Sequence, residues 1–136
     1  MAYWMFKTEP GDYSFEQLLE DGSAEWDGVR NHQAARNMRC MRKGELAFFY
    51  RSVVKPAVVG VVRIIREAFP DPADPRFVQV EIEPVAPLPR EIPLAEIKAD
   101  PRLRDLALVR QPRLSVLPVS DAHWRVLCAK AGFSLP

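Results

Sequence analysis

The stretch Glu45-Leu46-Ala47-Phe48-Phe49-Tyr50-Arg51-Ser52-Val53-Val54-Lys55-Pro56-Ala57-Val58-Val59-Gly60-Val61-Val62-Arg63-Ile64-Ile65 decides the fold class. Its opening, Glu45 to Ser52, reads as a strand with Leu46, Phe48 and Tyr50 on one face, so Tyr50 is expected to point inward with the core. Ala57 to Ile65 is a long β-branched run, and Val53 to Pro56 is the turn between them. Gly60, in the middle of that run, marks a bulge or a place where another group comes close, and a bulge is the simpler reading.

Working back from this pair, Asn31 to Lys43 reads as a helix stopped by Gly44, with Ala34, Ala35, Met38 and Met41 on one stripe and Arg36, Arg39 and Lys43 on another. Ser14 to Gln17 has the spacing of a capping box ahead of a short helix through Phe15, Leu18 and Leu19 that ends near Gly22. Ala2 to Thr8 is rich in aromatics and reads as a buried first strand, stopped by Pro10 and Gly11. Lys7 and Thr8 then leave a strand end, where polar side chains can line a cavity.

Working forward, Phe69 to Arg76 is a proline-punctuated loop, and Phe77 to Glu83 alternates as a half-exposed strand with Val78, Val80 and Ile82 inward. Pro84 to Pro93 holds four prolines and is expected to lie irregular and extended across the surface. Leu94 to Ala99 and Arg102 to Leu108 read as short helical turns, and Arg113 to Val116 as a last short strand. Ser120 caps a final helix with Trp124, Leu127, Cys128 and Ala131 on its apolar stripe and Gly132 at its end. Strands, rather than strand–helix–strand units, carry the middle of the chain. The expected fold class is therefore α+β, one domain over residues 1–136 with a mixed, strongly curved sheet or small barrel of five to six strands and flanking helices.

At 136 residues the chain is long enough to bury a core without staples. Cys40 and Cys128 lie far apart and read as free thiols of a reducing cytoplasm, with neither a metal site nor a disulfide framework indicated. The apolar start is too short for a signal peptide, and no run reaches the length of a membrane span, so a soluble cytoplasmic protein is expected. The net charge is only +1, yet residues 30–66 hold nine basic residues against one acidic, Glu45. Residues 1–29 hold seven acidic against one basic, Lys7. A basic central third can present a positive face to phosphate, or simply a solvated one.

One loop stands out for chemistry. Trp26-Asp27-Gly28-Val29-Arg30-Asn31 combines a flat ring, a flexible turn, a guanidinium and an amide. Two readings stand: a pocket that stacks and hydrogen-bonds a nucleobase, or a turn whose tryptophan fills the core and whose asparagine caps the next helix. If Asn31 caps the helix, free N–H groups of its first turn face the same loop. Glycine-rich phosphate loops, paired-histidine metal spacing and nucleophile elbows are absent from the sequence. An enzyme acting on a nucleobase or nucleotide would have to use Asp27 and His32 as a proton-transfer pair, and a protein-interaction module would use the prolines of 84–93. No cofactor is called for, and catalysis is not expected.

Tyr3-Trp4-Met5-Phe6-Lys7-Thr8-Glu9-Pro10, then Glu25-Trp26-Asp27-Gly28-Val29-Arg30-Asn31-His32-Gln33-Ala34, then Gly44 to Ser52 with Lys55-Pro56 and Val59-Gly60-Val61, then Arg113-Leu114-Ser115-Val116 before Pro118, resemble the successive blocks of the EVE domain family, within the PUA-like superfamily. The resemblance covers nearly the whole chain. It implies a PUA-like pseudobarrel and a reader of nucleic acid, DNA or RNA, that carries a modified base such as a modified cytosine. By position it implies a base pocket lined by Lys7, Thr8, Trp26, Val29, Arg30, Asn31, Tyr50, Ser52, Arg113 and Ser115. Arg36, Arg39, Lys43 and Lys55 would hold the phosphate backbone of a single strand or of a duplex with one base flipped out. Thr8, His32, Arg51 and Val54 stand where the family more often carries serine, tyrosine, histidine and cysteine.

Overall fold

The computed structural model describes residues 1–134. Its centre is a six-stranded mixed sheet of β1 (Tyr3–Thr8), β2 (Ala24–Trp26), β3 (Leu46–Arg51), β4 (Ala57–Asp71), β5 (Asp74–Pro93) and β6 (Val116–Val119). The strand order is β2-β5-β4-β3-β1-β6. Only β1 and β3 run parallel, in register from Tyr3–Leu46 to Thr8–Arg51, and every other pairing is antiparallel. The sheet is an α+β core as expected, open in its hydrogen bonding, with β2 and β6 at its edges.

It nevertheless curls on itself. Trp26 on edge strand β2 lies 5.1 Å, ring to ring, from Phe6 on β1, although three strands separate β2 from β1 in the sheet. The curvature follows from the bulges: register shifts fall between Phe49 and Tyr50 and repeatedly along β4 and β5, and each extra residue bends its strand. Gly60 satisfies both readings of its position. It sits at one of these shifts, and a Cβ there would run into the Phe15 ring.

The helices are α1 (Phe15–Asp21), α2 (His32–Cys40), α3 (Leu94–Ala99), α4 (Ala107–Arg110) and α5 (Asp121–Ala131), with one 3-10 turn at Pro101–Leu103. Caps expected from sequence are in place. Ser14 accepts from the Gln17 N–H and Ser120 from the His123 N–H, while Gly22 and Gly132 close α1 and α5 in the left-handed region. The Gln17 side chain donates to Asp21 instead of reaching back, so α1 has only half a capping box.

Four expectations are corrected. Helix α2 stops at Cys40, not Lys43, because the chain leaves it to wrap the buried Glu45 carboxylate, which accepts from the N–H groups of Arg42 and Ala2 and from the Trp4 indole. The Phe69–Arg76 segment is the tip of the β4–β5 hairpin rather than a loop. Residues 84–93 continue β5, pairing Pro84 with Val62, Pro87 with Gly60 and Pro93 with Ala57. β2 covers the far side of β5 only at residues 80–82, so beyond them β5 is an edge, where a missing N–H is tolerated. The last strand is Val116–Val119, and Arg113 and Ser115 precede it.

β3 is more buried than its alternation implies: Leu46 to Tyr50 are all covered, since helices and the curled sheet close both faces. The core is continuous from Met5, Phe6 and Phe48 through Ile64 and Ile82 to Leu127. Each such fully buried side chain contributes roughly 1.5–3 kcal/mol by removal from water.

Candidate nucleic-acid interface

A cavity of about 570 Å³ opens where the curled sheet brings the end of β2 over the end of β1. Its wall includes Lys7 and Thr8 from β1, Ala24, Glu25 and Trp26 from β2, Asp27 to Asn31 from the loop, and Asp12, Tyr13 and Ser115. Seven of the ten residues assigned to the pocket on resemblance thus meet here. Three do not line it. Tyr50 is 2% exposed, its ring 5.8 Å beneath the Lys7 ammonium. Ser52 lies beyond Thr8, whose carbonyl accepts the Ser52 N–H. Arg113 lines a neighbouring groove that also reaches Asn31.

Trp26 reconciles the two readings of its loop. Its ring packs on Phe6, Phe49 and Tyr13 at centroid distances of 5.1, 5.8 and 6.2 Å, and the half-buried residue also forms cavity wall. It is both core and lining. The turn after it needs a left-handed residue, and Gly28 supplies φ +73°. Asn31 caps α2, its Oδ1 accepting from the Ala34 N–H at 2.9 Å.

What fixes the loop is a residue not singled out in the sequence. Asp71, at the tip of the β4–β5 hairpin, is buried; its Oδ2 accepts from the Gly28 N–H and from the Arg30 guanidinium, both at 3.1 Å, and its Oδ1 from the Ala73 N–H. The N–H groups of Ala73 and Gly28, with Arg30, hold its carboxyl below the usual aspartate range. The Arg30 guanidinium lies over Phe77 as well, 5.3 Å from its centroid. Arg30 is thus committed to the scaffold. Lys7 is tied too, donating to the Pro112 carbonyl at 2.7 Å, and burial lowers its pKa.

Against these two tethered cations the lining sets three carboxylates, Asp12, Glu25 and Asp27, together with the Thr8 and Ser115 hydroxyls. Tyr13 adds an aromatic wall, and burial together with its bond to Asp21 pushes its hydroxyl up to about 12. Asp12, Tyr13 and Glu25 were missed because nothing local marks them; the curl of the sheet brings them in. The proton-transfer pair is not formed: His32 stacks on Phe77 at 4.9 Å and does not line the cavity, and among the described residues no hydrogen bond joins it to Asp27.

The four phosphate candidates are exposed, Arg36 and Arg39 on α2, Lys43 in the turn after it, and Lys55 between β3 and β4. None is in an ion pair among the described residues, whereas Arg30, Arg42, Arg51 and Arg63 are. Arg39 donates only to the Arg76 carbonyl. Among the described residues no cluster of three or more histidine, cysteine or acidic residues could hold a metal, and no helix is long and apolar enough to cross a membrane.

Known proteins agree with this architecture. Human thymocyte nuclear protein 1 is 32% identical over 161 aligned positions, covering 90% of this chain and 71% of that protein. An X-ray structure from Agrobacterium tumefaciens matches with TM-score 0.96 at 37% identity, covering 100% of this chain and 97% of that one. The crystal structure of the human protein in complex with DNA containing 5-methylcytosine matches with TM-score 0.91 at 28% identity, covering 98% and 99%. The family model of the EVE domain matches residues 2–130, and the chain belongs to that family.

Proposed function

We propose that this chain is a non-catalytic nucleic-acid-binding module that takes one base, a modified cytosine in DNA or a modified base in RNA, into the cavity beside Trp26. The observation that carries this reading is the balance of charge in the cavity. Three carboxylates facing two tethered cations repel phosphate, so the backbone stays outside and a neutral ring enters. A carboxylate accepts from the exocyclic amine of cytosine, which thymine and uracil lack. The Trp26 and Tyr13 rings offer apolar surface to the base and its added methyl group. The size is suitable for a small flat ligand. The human relative's complex with DNA containing 5-methylcytosine supports the reading of a nucleic-acid-binding, modified-base reader. Outside the cavity, the exposed cations of and around α2 are free to meet phosphate.

The test is fluorescence anisotropy with labelled single-stranded and duplex oligonucleotides, DNA and RNA, each with cytosine or 5-methylcytosine at one position. Preference for the modified base on the order of 10-fold is expected. Trp26→Phe should reduce it, and affinities that are equal for both bases and indifferent to Trp26 would overturn the reading.

A further inference from the structure

The turn from Ser52 to Pro56 carries two side chains in a conformation they rarely adopt. Val53 has φ +69° and Lys55 φ +46°, and the Val54 N–H donates to the Ser52 carbonyl at 2.8 Å, a three-residue turn of the strained hand. A β-branched residue at positive φ persists only where its surroundings over-determine it. Here they do. The Arg51 guanidinium donates to the carbonyls of Val54 and Lys55 and is itself paired with Glu91 at 2.9 Å. The Ser52 N–H is held by Thr8 and the Pro56 carbonyl by the Leu94 N–H, both at 2.9 Å.

This bracing does not serve the core. Val53 is 69% and Val54 57% exposed, so the turn holds two apolar side chains out to solvent. Its location is specific. β1 and β3 run parallel with Thr8 opposite Arg51, so the turn leaves the sheet at the same end as the cavity and is bonded to Thr8, a cavity-wall residue. Drawing a base out of a duplex leaves a gap in the stack and exposes the neighbouring ring faces. Apolar side chains inserted at such steps compensate for lost stacking, and a turn rigid before it docks loses little entropy on insertion.

We propose that Val53 and Val54 form a wedge that enters the base stack of a duplex and fills the place of the base taken into the cavity, with Lys55 beside the flanking phosphate. This rests on the base-reader assignment above. A single strand has no intact stack to be held open, so the wedge acts on duplex binding above single-strand binding.

The test compares wild type, the Val53→Gly/Val54→Ser double variant and Trp26→Phe against one 5-methylcytosine oligonucleotide, as a single strand and as a duplex. For the double variant the ratio of duplex to single-strand affinity is expected to fall about tenfold. Trp26→Phe should weaken both. Glycine relieves the strain at position 53, so the double variant is expected to melt no lower than wild type, which separates loss of the wedge from loss of the fold. An unchanged ratio in the double variant, with Trp26→Phe still weakening both, would overturn the wedge and leave the base reader standing. A wild type that binds only single strands would also overturn the wedge, and one indifferent to the modification and to Trp26 would remove both.

Discussion

Two turns, one lining the cavity and one bonded to its wall residue Thr8, handle backbone strain in opposite ways. The Trp26–Asn31 loop gives its left-handed position to Gly28, which adopts it without penalty, and is latched from behind by a buried carboxylate on another element, Asp71. The Ser52–Pro56 turn gives the same region of backbone space to Val53 and Lys55 and is braced by a partly exposed Arg51–Glu91 pair. The first is built to stay in place while presenting its ring and amide inward. The second keeps a strained valine whose side chain points outward. Local stability explains the first arrangement; the second gains nothing from the core, so its reason lies in what it touches outside.

Loss of the latch should cost most. Asp71→Ala removes the acceptor for Gly28, Arg30 and Ala73 together, so affinity for the modified oligonucleotide should fall more than about tenfold because the cavity wall loses its position. The melting temperature should fall with it, and calorimetry alongside anisotropy checks both. If the cavity still binds normally, the loop does not depend on its latch.

Next comes a pair of opposite sign. Gly28→Val forces a branched side chain to positive φ and should destabilise the fold by about 1–3 kcal/mol, while Val53→Gly should stabilise it by up to about 1 kcal/mol. Denaturant titrations giving the same sign for both would erase the contrast between the turns.

The hold on the nucleic-acid backbone ranks third. Arg36→Glu with Arg39→Glu should reduce the steepness of the salt dependence of binding, by about 0.9 in the slope of log K against log salt for each duplex phosphate that is no longer neutralised. An unchanged slope would move the phosphate track away from α2.

Acid should release the latch. Asp71 has a folded pKa below its unfolded value, so its contribution is complete above about pH 4, the ordinary aspartate range, and is lost as pH falls through the lower folded value. Stability of wild type should therefore decline below about pH 4 more steeply than that of Asp71→Asn. The smallest effect belongs to the brace: Glu91→Gln breaks a half-exposed ion pair and should cost under about 1 kcal/mol.

How much of this was legible depends on how local each cause is. Helix starts at Ser14, Asn31 and Ser120 and stops at Gly22 and Gly132 were readable because one side chain or one backbone angle decides them. The end of α2 was not, since Glu45 recruits Arg42, Ala2 and Trp4 from three parts of the chain. Prolines 84, 87 and 93 look irregular by composition, yet they sit in a strand because no neighbour covers that stretch of β5, a fact about β2 rather than about proline. In the site, the loop residues and Lys7, Thr8 and Ser115 were reachable through resemblance. Asp71 was not, lying between two prolines that mark a loop rather than a hairpin tip. Tyr50 was expected inward and is, but the same burial keeps its ring off the cavity surface.

Entry of a modified base into the cavity beside Trp26 can be seen residue by residue in a heteronuclear NMR titration of the protein with a 5-methylcytosine oligonucleotide. Backbone amide shifts are expected to concentrate at Lys7, Thr8, residues 24–31 and Ser115, with the Trp26 indole among the most perturbed signals. Shifts confined to residues outside the cavity wall, such as Glu96 to Arg102, or none at concentrations where DNA binding is measured, would contradict it.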